Sequence, residues 1–145
     1  MLLVAFLPVL LAVLGTLWGL SQVILMRHAA WTAADLGALA GAQCLDLDRL
    51  ARGELYLLAD QARAHAEAYV RGNLAAGGVA GWEEAEVQVA VLNPDEGDGR
   101  DPVTGRRHPH ATVCVRVSFP IRVRLGPVRW EIAVTAHAAA SVVPR

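Results

Sequence analysis

The chain has 145 residues, a formal net charge of −1 and a hydrophobic fraction of 54%. That length allows one modest domain beside a long helix, and the near-neutral charge offers no basic field to nucleic acid. All 13 basic residues are Arg, which excludes Schiff-base lysines and the lysine of a phosphate-binding loop.

From Met1 to Met26 there is no Asp, Glu, Lys, Arg or His, and the only polar side chains are Thr16, Ser21 and Gln22. About 20 such residues at about 1.5 Å rise per residue span a bilayer core of about 30 Å. Arg27 is the first charge, after which a helical pattern continues through the alanine-rich run to Gln43. The expectation is one long helix over residues 1–43, with an apolar half for lipid or other helices and a thin half beyond it. Pro8 lacks an N–H and crowds the preceding turn, so a kink or break is expected near Val4–Pro8 unless the helix starts there. Gly15 and Gly19 form a small-xxx-small step that lets another helix approach closely. Ala33, Ala34, Gly37 and Gly41 keep the following turns thin for tight packing against copies of the chain or against a sheet. A secretory signal has a basic n-region and a short apolar core; neither is present, and the expectation is that a basic leader preceded Met1 and was removed.

Residues Ala5–Gln43, with Pro8, Arg27 and the run Ala33-Ala34-Asp35-Leu36-Gly37-Ala38-Leu39-Ala40-Gly41-Ala42, resemble the N-terminal segment of the TadE/TadG-like proteins of tight-adherence (Flp-type) pilus systems. The resemblance covers about the first 43 residues and is also that of a type IV pilin-like N-terminal helix. Two departures stand out. Positions 2 and 5 are Leu2 and Ala5, where processed pilins carry a Glu near the helix start. The acidic residue found midway along the TadG-type helix is replaced by the Trp18-Gly19-Leu20 region. The carboxylate pairing used in pilus assembly therefore does not transfer. The resemblance implies a pilus subunit or assembly factor, in the inner membrane before assembly and at the cell surface or in an extracellular filament afterwards. Its partners would be copies of itself, the membrane and the secretion machinery, with no nucleic acid.

Residues 44–145 form the expected extracytoplasmic part. Asp46 or Asp48 can cap a second helix. Leu55, Leu58, Ala62, Ala66 and Tyr69 recur at helical spacing, and Gly72-Asn73 and Gly77-Gly78 supply stop signals. The period then changes from 3.6 to 2. Val87, Val89 and Val91 alternate with Glu86, Gln88 and Ala90. After a polar loop, Val113, Val115, Val117, Phe119, Ile121, Val123 and Leu125 occupy odd positions against Arg116, Ser118, Pro120, Arg122 and Arg124. Gly126-Pro127 reads as a turn. Val128, Trp130, Ile132, Val134 and Ala136 then alternate with Arg129, Glu131, Thr135 and His137. This predicts a half-buried antiparallel meander of three or more strands, with an edge or bulge at Pro120. The fold class is α+β: a long hydrophobic helix and a second helix packed on that sheet, as in pilins.

The loop Asn93–His110 holds the chemistry-bearing residues. Asp95, Glu96, Asp98 and Asp101 with Gly97 and Gly99 suggest calcium, but the EF-hand spacing is not met, and a solvated turn explains the same residues. His108 and His110 are a weak transition-metal signal, and His65 has no ligand partner one turn away. Ser21, Ser118 and Ser141 lie in no nucleophile motif. Cys44 and Cys114 fit no zinc spacing. The expectation is no enzyme, no cofactor and no metal. A disulfide between Cys44 and Cys114 would close a loop of about 70 residues and contribute about 4 kcal/mol in an oxidising compartment. Against it, Cys114 falls on the even face of its strand, away from the face a covering helix meets.

The expected function is a structural subunit of a pilus-like filament that polymerises through its hydrophobic N-terminal helix; the alternatives are a single-span membrane-anchored assembly factor and a membrane-tethered ligand-binding module using the acidic loop.

Overall fold

A computed structural model describes the backbone of residues 2–125 and 128–143 and, within these, the side chains outside 2–5, 123–125 and 128–129. The expected Gly126-Pro127 turn, the apolar side chains of Val123, Leu125 and Val128, and Met1 lie outside the described residues. The elements in chain order are α1 (Leu2–Ala42), α2 (Leu47–Leu50), α3 (Ala59–Ala76), a 3-10 turn (Trp82–Glu84), β1 (Glu86–Leu92), β2 (Thr112–Leu125) and β3 (Val128–Ser141). The fold is α+β, with a long apolar N-terminal helix and one three-stranded antiparallel sheet.

Helix α1 runs unbroken for 41 residues from Leu2, with Pro8 inside it; a helix that starts this close to Pro8 is the case in which no break is expected. Pro8 lies in the second turn, so the missing N–H removes one bond near the helix start rather than splitting a long helix. The two halves differ in environment. Phe6, Leu10, Leu14, Trp18 and Leu25 are exposed, whereas Ala30, Ala33, Ala34 and Ala38 are fully buried. The buried set recurs every three or four residues, which is one face of a helix.

That face packs on α3 and on the sheet at a separation only glycine permits. A Cβ on Gly37 would lie 2.4 Å from Cγ2 of Val70 and 3.0 Å from the carbonyl oxygen of Ala66. One on Gly41 would lie 2.9 Å from the carbonyl oxygen of Ala62 and 3.0 Å from Cγ1 of Val113. The thin half of α1 is therefore occupied within the chain.

The second helix differs from its sequence expectation. Asp46 does cap a helix, accepting from the N–H groups of Asp48 and Arg49, but that helix is four residues long. A turn at Gly53, with φ 83°, ends it. Leu57 then forms an isolated bridge with Leu45, and α3 begins only at Ala59. Its buried positions are Ala62, Ala66, Val70 and Leu74. Tyr69 is 57% exposed, so the apolar stripe runs one residue to its side. Gly72-Asn73 falls inside α3, which is capped by Gly77.

The sheet order is β1-β2-β3, a meander. The β2–β3 register is unbroken from Thr112↔Ser141 to Leu125↔Val128, so Pro120 causes no bulge. Pairing with β1 stops at Glu86↔Ser118. Pro120 therefore lies where the β1 side of β2 is free, and its missing N–H costs no ladder bond there. Val113, Val115, Val117, Phe119 and Ile121 are all buried against the helices, as the alternation predicts.

Candidate functional site

Two regions carry functional potential. The first is the apolar half of α1, the helix that is long and apolar enough to cross a membrane among the described residues, with none of its most apolar window buried. Nothing lies within 4 Å of a Cβ built on Gly15. Pro8 is exposed and Gly19 half-buried on the same helix. Of the residues expected to pack helices, Ala33, Ala34, Gly37 and Gly41 are buried inside the chain, and Gly15 faces open space.

The second region lies on the opposite face of the sheet, under the loop that joins β1 to β2. Asn93 anchors the loop. Its side-chain oxygen accepts from the Leu57 N–H at 2.9 Å, and its amide donates to the Leu57 carbonyl at 3.2 Å. It thus pairs with Leu57 as a strand residue would. The acidic residues beyond it diverge rather than converge. Asp95 faces Arg49 at 3.7 Å. Glu96 accepts from the Tyr56 hydroxyl and from Asn93, bonds that hold its carboxyl below the usual range. Arg49 stacks over the Tyr56 ring at 3.8 Å. Asp98 accepts from the Arg100 N–H. Three carboxylates turned to separate partners do not form the calcium cradle considered from sequence.

Asp101 turns inward instead. The loop closes on itself through Asp101 N–H to the Arg106 carbonyl, Gly105 N–H to the Asp101 carbonyl and His108 N–H to the Gly99 carbonyl, each 2.8–2.9 Å. A Cβ on Gly99 would lie 3.1 Å from that His108 oxygen, and Gly99 and Gly105 have φ of 64° and 68°, so the tight crossing needs glycine. The result is a carboxylate with a fully buried side chain. Its Oδ1 accepts from the Val103 N–H at 2.9 Å, and its Oδ2 accepts from the Thr104 hydroxyl.

Beneath it lie Cys114 of β2 and His137 of β3. Cys114 pairs with Ala139 across the hairpin, so His137, two residues earlier, is its diagonal neighbour on the same face. One ligand atom from each of Asp101, Cys114 and His137 falls within 4.8 Å of the others. Nε2 of His137 is 2.9 Å from Oδ2 of Asp101. Nε2 is buried and, despite this close approach, makes no hydrogen bond.

Burial acts against the Asp101 carboxylate, but the Thr104 hydroxyl, the Val103 N–H and His137 outweigh it and bring its pKa below the ordinary value. Burial, with the Asp101 charge second, pushes the Cys114 thiol up to about 12. Cys114 is 2% exposed. A protonated, enclosed thiol is poorly suited to attack a substrate.

The two cysteines are free. Cys44, at the end of α1, sits 3.4 Å from Nδ1 of His65, and burial pushes its thiol up. Cys114 occupies the far face of the sheet, since its neighbour Val113 is the residue that meets Gly41. Both thiols are free in the structure, and the even position of Cys114 in an unbulged strand is the objection that the sequence already raised against a Cys44–Cys114 bridge.

The Asp101, Cys114 and His137 group was not legible as a set in the sequence. The available signal was the hairpin register, which puts Cys114 and His137 on one face; Asp101 joins them through loop closure alone.

No match was found among the curated proteins or among the solved structures. Residues 1–43, which contain all of α1, match the Tad family, described as Flp pilus-assembly TadE/G-like.

Proposed function

We propose that this chain is a structural subunit of a cell-surface pilus-like filament and polymerises through the apolar half of α1. The observation that carries this reading is the division of α1 into two environments. Its alanine-rich half is consumed by its own α3 and sheet, while the large apolar side chains from Phe6 to Leu20 remain exposed. Exposed apolar area costs about 25 cal/mol per Å² in water, so this half requires lipid or other helices. The Tad family match over residues 1–43 supports a pilus-related role for that segment.

A bundle of α1 helices would bury these side chains while the sheet, with charged residues such as Arg116, Arg122 and Glu131 on its outer face, stays solvated. Gly15 and Gly19 are the step at which two such helices approach. The test is the double variant Gly15→Leu with Gly19→Leu. Filament yield should fall while the sheet remains folded; normal yield would contradict packing at this step. A second reading, a single-span assembly factor that stays in the bilayer, rests on the same exposed span of membrane-crossing length. A third, a tethered ligand-binding module using the acidic loop for calcium, is disfavoured by the divergent carboxylates. We assign the chain no catalytic role.

A further inference from the structure

We propose that Asp101, Cys114 and His137 form a binding site for a divalent zinc-class transition-metal ion, which fastens the β1–β2 loop to the outer face of the sheet.

The donor set selects the ion. A thiolate, an imidazole nitrogen and a carboxylate oxygen together suit zinc and its first-row neighbours, whereas calcium and magnesium take oxygen ligands only. The three atoms lie within 4.8 Å of one another. Metal–ligand bonds of about 2.0–2.3 Å place tetrahedral ligands roughly 3.3–3.8 Å apart. Closure around an ion thus asks for side-chain shifts of about an ångström. His137 leaves solvent access to one side, its side chain being 24% exposed, so water can complete the coordination.

Two further observations point to a ligand. Nε2 of His137 is buried without a hydrogen bond, although most buried polar atoms have a partner. Its lone pair, turned towards a cation shared with Oδ2 of Asp101, would resolve that deficit. In addition, Asp101 is a carboxylate with a fully buried side chain, and buried charges are ordinarily paired or bound to metal. Its Oδ1 is held by the Val103 N–H, which fixes the carboxyl orientation as a supporting bond does for a metal ligand. On binding, the Cys114 thiol gives its proton to solvent and the thiolate bonds the ion, so a divalent charge balances one carboxylate and one thiolate.

The experiment uses the full chain in detergent micelles, freed of metal by chelator, carrying Cys44→Ser. This protein has a single cysteine, so any thiolate–metal band must come from Cys114 and no loss-of-site variant has to fold for the test to work. Cobalt(II) is the probe. The expected result is one ion per chain, a thiolate-to-cobalt charge-transfer band, its loss on addition of zinc, and zinc affinity at least about 100-fold weaker in His137→Ala or Asp101→Asn. Absence of the band in the Cys44→Ser protein would overturn the proposal. So would a band and an affinity unchanged by His137→Ala, because the thiolate would then bind metal without this trio.

Discussion

Gly37 of α1 and Val70 of α3 meet so closely that a single added Cβ would stand 2.4 Å from the Val70 Cγ2 atom. This contact sets the distance between the two helices, and through it the position of α1 on the sheet. Gly37→Ala should destabilise the folded domain by about 1–3 kcal/mol through overpacking. Gly15→Ala, where nothing lies within 4 Å, should be neutral or favourable by up to about 1 kcal/mol. Urea unfolding in detergent followed by tryptophan fluorescence compares them. Equal midpoints for the two variants would contradict the packing role of Gly37.

Asn93 stands in for a strand residue beside Leu57, a residue with no exposed surface. Asn93→Ala leaves the Leu57 N–H and carbonyl without partners, at about 1–3 kcal/mol for each buried group. The expected outcome is a loss of about 2–6 kcal/mol in total and faster hydrogen exchange at the Leu57 amide. Unchanged exchange there would show that the amide pair does not hold the loop.

Asp101 makes stability depend on acid. Its folded pKa is depressed by the Thr104 and Val103 bonds and by His137 against the opposing effect of burial. Its contribution is therefore fully present above the unfolded carboxyl value of about 3.9 and is lost as pH falls through the lower folded value. Metal-free wild type should exceed Asp101→Asn in stability at pH 7, and the gap should narrow below about pH 4. Denaturant midpoints across pH 2.5–7 measure this (roughly the window set by those carboxyl values). A gap that stays constant through the acid range would contradict the depressed carboxyl.

The strands were legible because burial on one face writes itself as alternation. Val113 to Ile121 on β2 are buried as their alternation predicts, and the uncharged run lies in α1; of the two cap candidates, Asp46 and Asp48, Asp46 caps, but on a helix of only four residues. The split between α2 and α3 was not legible: Leu55, Leu57 and Leu58 continue an apolar run, and what ends the helix is the Gly53 turn together with Asn93, far along the chain. The same late start of α3 shifts the buried stripe: helical spacing counted from Leu55 reaches Tyr69, whereas the helix beginning at Ala59 buries Val70. In the candidate site, Cys114 and His137 were each visible as outward residues of a hairpin. Their meeting needed the exact register, and Asp101 needed a loop closure built on Gly99 and Gly105 that no residue periodicity encodes.

The central claim is that the apolar half of α1 leaves the bilayer and packs among copies of itself. Filaments sheared from cells, purified and analysed by quantitative mass spectrometry with electron microscopy test it most directly. The account predicts this chain within the filament, present as a repeating subunit in stoichiometric amount. Filaments lacking the chain, with all of it retained in the membrane fraction, would contradict the account and leave the resident assembly factor as the reading that stands.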